Sequence, residues 1–316
     1  MPPRATRHRS IRSAKSNKPA HLHRLLRKQC LAIPGAFNAA TARLVERAGF
    51  DAVYVSGAGL ANGAAGVPDI GLLSSEEVTR LAGYIAAAVD IPAIVDADTG
   101  FGGLKEVAQT VRSLEAAGLA GLHLEDQRIP KRCGHLAGKS VVSTEEMNHR
   151  LGAAKQARRD RSFLLIARTD ARATEGLDSA IARALQYLNA GADAVFPEAL
   201  ESAAEFRAFA NAMPRGVPLM ANMTEFGRGP MLSVKQLAQM GYRMVIFPQT
   251  VFRVAMRAEE EALRSLKRHG TQKALLPRMQ TREQLYDLLD YDPSCAAKVC
   301  GDRPCAPSVS PRLRRG

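Results

Sequence analysis

One short phrase recurs through this chain and confines its fold. Ala48-Gly49-Phe50-Asp51-Ala52-Val53 is echoed by Ala117-Gly118-Leu119-Ala120-Gly121-Leu122, by Ala190-Gly191-Ala192-Asp193-Ala194-Val195 and by Met240-Gly241-Tyr242-Arg243-Met244-Val245. In each, an amphipathic stretch stops at a glycine, which accepts the left-handed backbone that ends a helix, and an apolar run begins. Such runs lie at 30–34, 52–56, 93–98, 121–125, 163–168, 194–198, 219–222 and 244–248. Short and continuously apolar, they suit strands buried on both faces. Helical patterns separate them at 38–48, 75–89, 103–117, 144–158, 177–190, 201–212, 233–240 and 250–269, and another follows at 281–290. Strand and helix in alternation call for a parallel sheet of the α/β class, and eight units predict a closed (β/α)8 TIM barrel. An open doubly wound sheet is the structural alternative. It would want G-x-G-x-x-G after its first strand, where Pro34-Gly35-Ala36-Phe37-Asn38 stands instead.

The 316 residues, 46% of them hydrophobic, suffice for one large core. The net charge of +13 invites a nucleic-acid reading, but it sits at the ends. Residues 1–30 hold nine Lys/Arg and no acid, residues 298–316 hold five Lys/Arg and one acid, and the body between is formally neutral. Both ends are rich in Arg, Ser and Pro without apolar periodicity, so residues 1–28 and 293–316 read as disordered basic tails around a 29–292 barrel with C-terminal helices. No basic-aromatic motif supports a dedicated nucleic-acid binder. No run approaches a membrane span and the start of the chain lacks a secretory apolar core, so a cytoplasmic protein is expected. The acid-free, Arg-rich N-terminus also resembles a transit peptide, which would make the mitochondrial matrix the alternative. Five scattered cysteines fit a reducing compartment better than a disulfide framework. Cys295, Cys300 and Cys305 lack the C-x2-C pair and nearby histidine of a zinc site.

Barrel sites form where the strands end. Here those ends carry Tyr54-Val55-Ser56-Gly57-Ala58-Gly59, Asp96-Ala97-Asp98, Glu125-Asp126, Arg168-Thr169-Asp170, Glu198 and Asn222-Met223-Thr224-Glu225. Turn and cap formation accounts for one or two such residues, but poorly for so many carboxylates and an arginine on one rim. Asp96 and Asp98, two apart on a strand, are expected on the same face and with Glu125 form an oxygen-rich cluster suited to Mg2+. His123, inside a strand run, reads as a buried, hydrogen-bonded histidine. Gly57 and Gly59 leave backbone N–H groups free to meet a carboxylate or oxyanion, and Arg168 can grip a carboxylate through two nitrogens. The 126–143 connection is long for its place and carries Lys131-Arg132-Cys133-Gly134-His135. It reads either as a plain surface loop or as a lid whose thiol is tuned by flanking cations. Cation, anion-binding loop, arginine and thiol together describe carbon–carbon cleavage or formation beside a carbonyl of a small polycarboxylate.

The segments Val95–Gly103 (VDADTGFGG), Gly121–Gln127 (GLHLEDQ), Lys131–His135 (KRCGH), Ala167–Ala171 (ARTDA), Phe196–Ala199 (FPEA), Asn222–Gly227 (NMTEFG), Gly270–Lys273 (GTQK) and Met279–Tyr291 (MQTREQLYDLLDY) resemble, in order, the methylisocitrate lyases of the 2-methylcitrate cycle of propionate catabolism. These belong to the isocitrate lyase/phosphoenolpyruvate mutase superfamily. The resemblance runs from about Ile33 to Tyr291. It implies a Mg2+-dependent lyase in a homotetramer whose eighth barrel helix is exchanged between subunits. By motif, Asp96, Asp98, Glu125 and Asp69 would serve the metal. Ser56, Gly57 and Ala58 would hold the pyruvate-side carboxylate, and Arg168 its oxygens. Gly134, His135, Glu198, Asn222 and Thr224 would line the site, with Arg253 near the other carboxylate. Cys133 would be the catalytic acid. The base stays open among Tyr54, a metal-linked water and a carboxylate.

The cysteine loop sets the chain apart from the phosphonate-forming mutases and decarboxylases of this fold. Isocitrate lyases share the loop but are longer and carry Ser-Pro-Ser-Phe-Asn where this chain has 222–227, a difference expected to leave room for a methyl group. Isocitrate lyase, 2,3-dimethylmalate lyase and oxaloacetate hydrolase activities remain alternatives. Gln249-Thr250 and Gly229 depart from the usual pattern on the substrate side. A reading of another class, a retired barrel acting through its tails, is opposed by the intact acidic and thiol set.

Overall fold

Eight strands run parallel: β1 (Leu31–Ala36), β2 (Val53–Val55), β3 (Ala93–Asp96), β4 (Gly121–Glu125), β5 (Leu164–Thr169), β6 (Ala194–Pro197), β7 (Met220–Asn222) and β8 (Met244–Phe247). They pair in the order β6-β5-β4-β3-β2-β1-β8-β7. A parallel bridge between Val195 and Leu219, with Val195 N–H donating to Pro218 O at 3.2 Å, joins β6 to β7 and completes the barrel. The computed structural model describes residues 17–131 and 138–291. The chain divides into two units, one up to Met256 and the other from Arg257.

The strands alternate between two environments, as their period of two requires. Leu31, Ile33, Tyr54, Ile94, Leu164, Ile166, Ala194, Phe196, Met220, Met244 and Ile246 pack into one cluster inside the barrel. Their neighbours, such as Val95, Leu122, Leu124, Leu165 and Ala167, join a second cluster beneath the surrounding helices. Helices begin on side-chain caps. Asn38, Ser143 and Ser202 each accept an N–H three residues on, and Ser74 with Glu77 and Ser233 with Gln236 form reciprocal capping boxes. Each cap contributes about 1 kcal/mol.

The expected tail boundary at residue 28 is corrected. A helix spans Lys18–Lys28, capped by Asn17, and its Leu22 and Leu26 are buried in the inner cluster. It closes the end of the barrel opposite the strands' carboxyl termini. Lys18 Nζ donates to the carbonyls of Ala86 (2.6 Å) and Val89 (2.7 Å), and the His23 ring bonds Ser162 O at 3.0 Å. The physical reason is spacing: two leucines four apart present one apolar stripe even among arginines and histidines.

The helix Thr250–His269 contains the division between the units. The second unit continues with a 3-10 turn, Lys273–Arg278, and a helix, Arg282–Leu288. Its surface carries ion pairs of Glu260 with Arg257 and Arg264, and of Glu261 with Arg278. Leu263, Leu276 and Leu285 are exposed. Among the described residues no helix is long and apolar enough to cross a membrane.

Candidate active site

Continuing the inward register of each strand by one or two steps gives the site. Tyr54 leads to Ser56, Ile94 to Asp96, His123 to Glu125, Ile166 to Arg168, Phe196 to Glu198 and Met220 to Asn222. Apolar at the barrel's middle, the same faces turn polar at its carboxyl end. Ser56, Asp96, Glu125, Arg168 and Glu198 are nonetheless all buried.

Tyr54 OH lies 2.7 Å from His123 Nε2, and the rings stack at 9°. His123 Nδ1 is buried without a hydrogen-bond partner and lies 3.7 Å from Asp96 Oδ1. Burial pushes the imidazole down to about 4, with Asp96 opposing, so the ring is neutral near pH 7. Burial and then Asp96 hold the Tyr54 phenol well above its ordinary range. With Nδ1 turned toward the Asp96 carboxylate, the ring proton is assigned to Nδ1, so that the Tyr54 hydroxyl donates and Nε2 accepts. The sequence reading of His123 as a buried, bonded histidine holds at Nε2 and leaves Nδ1 without a hydrogen bond.

Arg168 is engaged by the protein. Asp170 takes its Nε at 2.9 Å and its Nη2 at 3.2 Å; Glu125 Oε2 lies 3.3 Å from Nη1, and Glu198 Oε2 lies 3.5 Å from Nη2. Phe196 lies 5.3 Å from the guanidinium carbon. Behind Asp170 stands Asp126, fully buried, which accepts from Asp170 N–H, Thr169 Oγ1 and Tyr187 OH, each at 2.8 Å. Lys139 Nζ donates to Asp170 at 2.6 Å. The bidentate grip expected for substrate is thus used on Asp170.

The four acidic residues expected at a metal divide. Lys131 Nζ donates to Asp69 at 2.6 Å and also to Asp98. Asp98 has φ 49°, outside strand geometry, and its N–H donates to Asp96 Oδ1 at 3.0 Å. The expected two-apart strand pairing of Asp96 and Asp98 is therefore corrected: β3 ends at Asp96 and a tight turn returns Asp98. Burial, then repulsion by Asp96, raises the Asp98 carboxyl to about 7 against Lys131. For Asp96, burial is outweighed by His123, Lys131 and Arg168, and its carboxyl titrates below the ordinary range. Burial pushes Glu125 well up, against the pull of Arg168, and its Oε1 is buried with no partner. Among the described residues no three His, Cys, Asp or Glu side chains form a ready-made metal cage. The donors fit Mg2+ in another way: it takes one or two carboxylates, keeps its waters, and would compensate the orphaned Glu125 oxygen.

Ser56 caps a short helix, Gly57–Leu60, that runs into a π-turn at Ala61–Ala65. A Cβ at Gly57 would stand 2.9 Å from Asp96 Oδ2, so only glycine lets this N-terminus approach the acid. Across the barrel, Asn222 Nδ2 lies 3.3 Å from both Glu198 oxygens, while its Oδ1 is buried and unpartnered. Thr224 and Asn222 line a small cleft with Pro197, Leu200 and Pro230. Arg253, half exposed, has its Nε 3.6 Å from Glu225.

Cys133, Gly134 and His135 lie outside the described residues. The loop's two arms run side by side: Gln127 pairs antiparallel with Val141, and Arg128 N–H donates to Ser140 O at 2.9 Å. Sequence reasoning missed Lys131 as a partner of carboxylates and Lys139 altogether, and it named Asp126, Glu225 and Gln249 without giving them a role. Asp126 and Glu225 had a signal, being polar at strand ends. The Gly229 departure has a packing cause, since a Cβ there would come within 2.6 Å of Leu200 O. Gln249 is 6% exposed, and its Oε1 is buried without a partner.

An acid-rimmed parallel barrel with a buried arginine and a Tyr–His pair defines a class, and relatives agree. Residues 22–267 match the family described as phosphoenolpyruvate phosphomutase. The probable 2-methylisocitrate lyase 1 of Corynebacterium glutamicum is 54% identical over 260 residues, covering 82% of this chain and 85% of that protein. The crystal structure of a 2,3-dimethylmalate lyase superposes with a TM-score of 0.82 at 35% identity, covering 87% of this chain and 92% of the other. A phosphonopyruvate hydrolase in complex with oxalate and Mg2+ gives 0.78 at 31% identity, covering 86% and 94%. The chain belongs to the phosphoenolpyruvate phosphomutase family, among the 2-methylisocitrate lyases. It is an enzyme, a carbon–carbon lyase.

Proposed function

We propose that the enzyme cleaves (2S,3R)-2-methylisocitrate to pyruvate and succinate, in the 2-methylcitrate cycle and with Mg2+. The observation that carries this reading is the 2.7 Å Tyr54–His123 hydrogen bond set between Asp96 and Arg168. It supplies a base without requiring a resting phenolate. As the substrate hydroxyl gives its proton to the Tyr54 oxygen, the Tyr54 proton passes to neutral His123 Nε2. The C–C bond breaks, the carbinol carbon becomes the pyruvate carbonyl, and the bonding pair stays on the succinate carbon. Cys133 gives that carbon a proton and becomes a thiolate. The proton held at His123 balances it and returns through solvent after release.

Ser56, Gly57 and Ala58 present N–H groups to the pyruvate-side carboxylate, and Arg168 steadies the developing oxygen charge while held by Asp170. Asp96 and Glu125 would hold the Mg2+, with Asp98 and Asp69 around them. When bound, Mg2+ draws electron density from the substrate's oxygens. Glu198, Asn222 and Thr224 line the succinate side with Gly134 and His135, and Arg253 meets the far carboxylate. A homotetramer with an exchanged helix is part of this reading. The helix Thr250–His269 has no buried residue, and Leu263 and Leu266 on it want cover.

Product release assayed with Mg2+ tests the proposal: pyruvate from 2-methylisocitrate and from 2,3-dimethylmalate, glyoxylate from isocitrate, and oxalate from oxaloacetate. The highest kcat/KM is expected for 2-methylisocitrate. A higher value for any other substrate overturns the assignment, and no turnover of any of them overturns the chemistry.

A further inference from the structure

Arg253 stands on the first turn of the helix Thr250–His269, and the structure surrounds it with groups of no evident use to the core. Glu225 Oε2 lies 3.6 Å from its Nε and is itself buried without a hydrogen-bond partner. The other Glu225 oxygen, Oε1, accepts from the Thr250 hydroxyl. The Phe226 ring lies 5.4 Å from the guanidinium carbon. Phe226 is 91% exposed and adopts φ 59°, a backbone conformation rare in residues with a Cβ. Core packing explains neither feature, and outliers of this kind gather where a ligand group is clamped.

We infer that Glu225, pinned by Thr250, is a positioning residue for Arg253. A guanidinium is a planar fork of five N–H groups. Glu225 takes the Nε edge and Phe226 covers one face through a cation–π contact, leaving the NH1/NH2 edge for a carboxylate. Thr250, a departure from the usual family pattern, thereby acquires a role in substrate affinity. An acid that merely cancelled the charge of Arg253 would instead weaken anion binding, and the test below separates the two. The inference rests on the proposal that Arg253 meets the substrate's far carboxylate.

The test titrates the full-length protein with succinate, which carries that carboxylate, and with pyruvate, which does not. Isosteric Thr250→Val is expected to weaken succinate about fivefold, and Glu225→Gln about tenfold, with pyruvate unchanged. Thr250→Ser should restore succinate affinity, which a purely structural role for the threonine methyl would not do. KM for 2-methylisocitrate should rise in parallel while kcat stays within about twofold. Tighter succinate binding in Glu225→Gln makes Glu225 a competitor of the substrate and overturns the inference. Arg253→Gln separates the two levels. If it leaves succinate binding unchanged, both the site reading and the inference fall. If it weakens succinate while Thr250→Val and Glu225→Gln do not, the inference alone falls.

Discussion

The hydroxyl of Tyr54 and Nε2 of His123 lie 2.7 Å apart inside the barrel, both side chains almost fully buried. In the proposed cycle this pairing would let a phenol of raised pKa act as a base, because the proton it takes is passed on as its own leaves. Tyr54→Phe removes the relay while keeping the ring. We expect kcat for 2-methylisocitrate to fall about 10²–10⁴-fold, the usual weight of a positioned acid–base group, with melting temperature nearly unchanged. Retention of kcat within about threefold would move the base elsewhere.

Cys133 carries the other proton in the proposed cycle. Cys133→Ser replaces an acidic thiol with a hydroxyl that ionises far less readily. Turnover is expected to drop by more than about a hundredfold while pyruvate affinity, measured by titration, stays within about twofold. Activity surviving within about tenfold would remove Cys133 from the acid's role.

The N-terminal helix bears on stability. Deleting residues 1–16 leaves the helix Lys18–Lys28 intact and should not change the melting temperature or kinetics. Deleting 1–28 removes Leu22 and Leu26 from the inner cluster, along with the Lys18 bonds to Ala86 and Val89. Leu22→Ala alone should cost about 2–5 kcal/mol in denaturant unfolding. A Leu22→Ala protein as stable as the parent would show that the helix does not plug the barrel.

How far the sequence spoke can be read at particular residues. The strands and main helices were legible because apolar runs and glycine stops are local signals, and the predicted helix 177–190 coincides with Leu177–Ala190. Tyr54, Asp96, Glu125, Arg168, Glu198 and Asn222 were legible as polar endings of those runs. Leu22 and Leu26 were obscured by the arginines and histidines around them. Asp98 was placed on a strand face because a left-handed turn at an aspartate leaves no pattern of period two. The pairing of Lys131 with Asp69 and Asp98 joins residues 62 and 33 positions apart, and only the closed barrel brings them together.

Asp126 is the anchor behind Arg168. Its carboxylate receives Thr169, Tyr187 and the Asp170 backbone, and Asp170 in turn orients the guanidinium. Asp126→Asn keeps the shape but turns one acceptor into a donor facing other donors. We expect a loss of about 2–4 kcal/mol in unfolding free energy, against about 1 kcal/mol for Tyr187→Phe. The double variant should cost less than the sum, since both act on one bond. Additive losses would show that the two side chains act independently.

Cys30 is a half-buried thiol whose pKa burial raises to about 11, with Arg243 opposing. Only the thiolate attacks alkylating reagents. Below its pKa the thiolate fraction rises tenfold with each pH unit, so near neutrality Cys30 should be almost inert. Iodoacetamide labelling of the folded protein, read by peptide mass, should therefore show a Cys30 rate climbing about tenfold per unit from pH 8 to 10. An ordinary exposed thiol, with a pKa of about 8.5, would level off within that interval. A plateau for Cys30 by pH 9 would mean that its burial does not suppress ionisation, and that the turn between the N-terminal helix and β1 opens in solution.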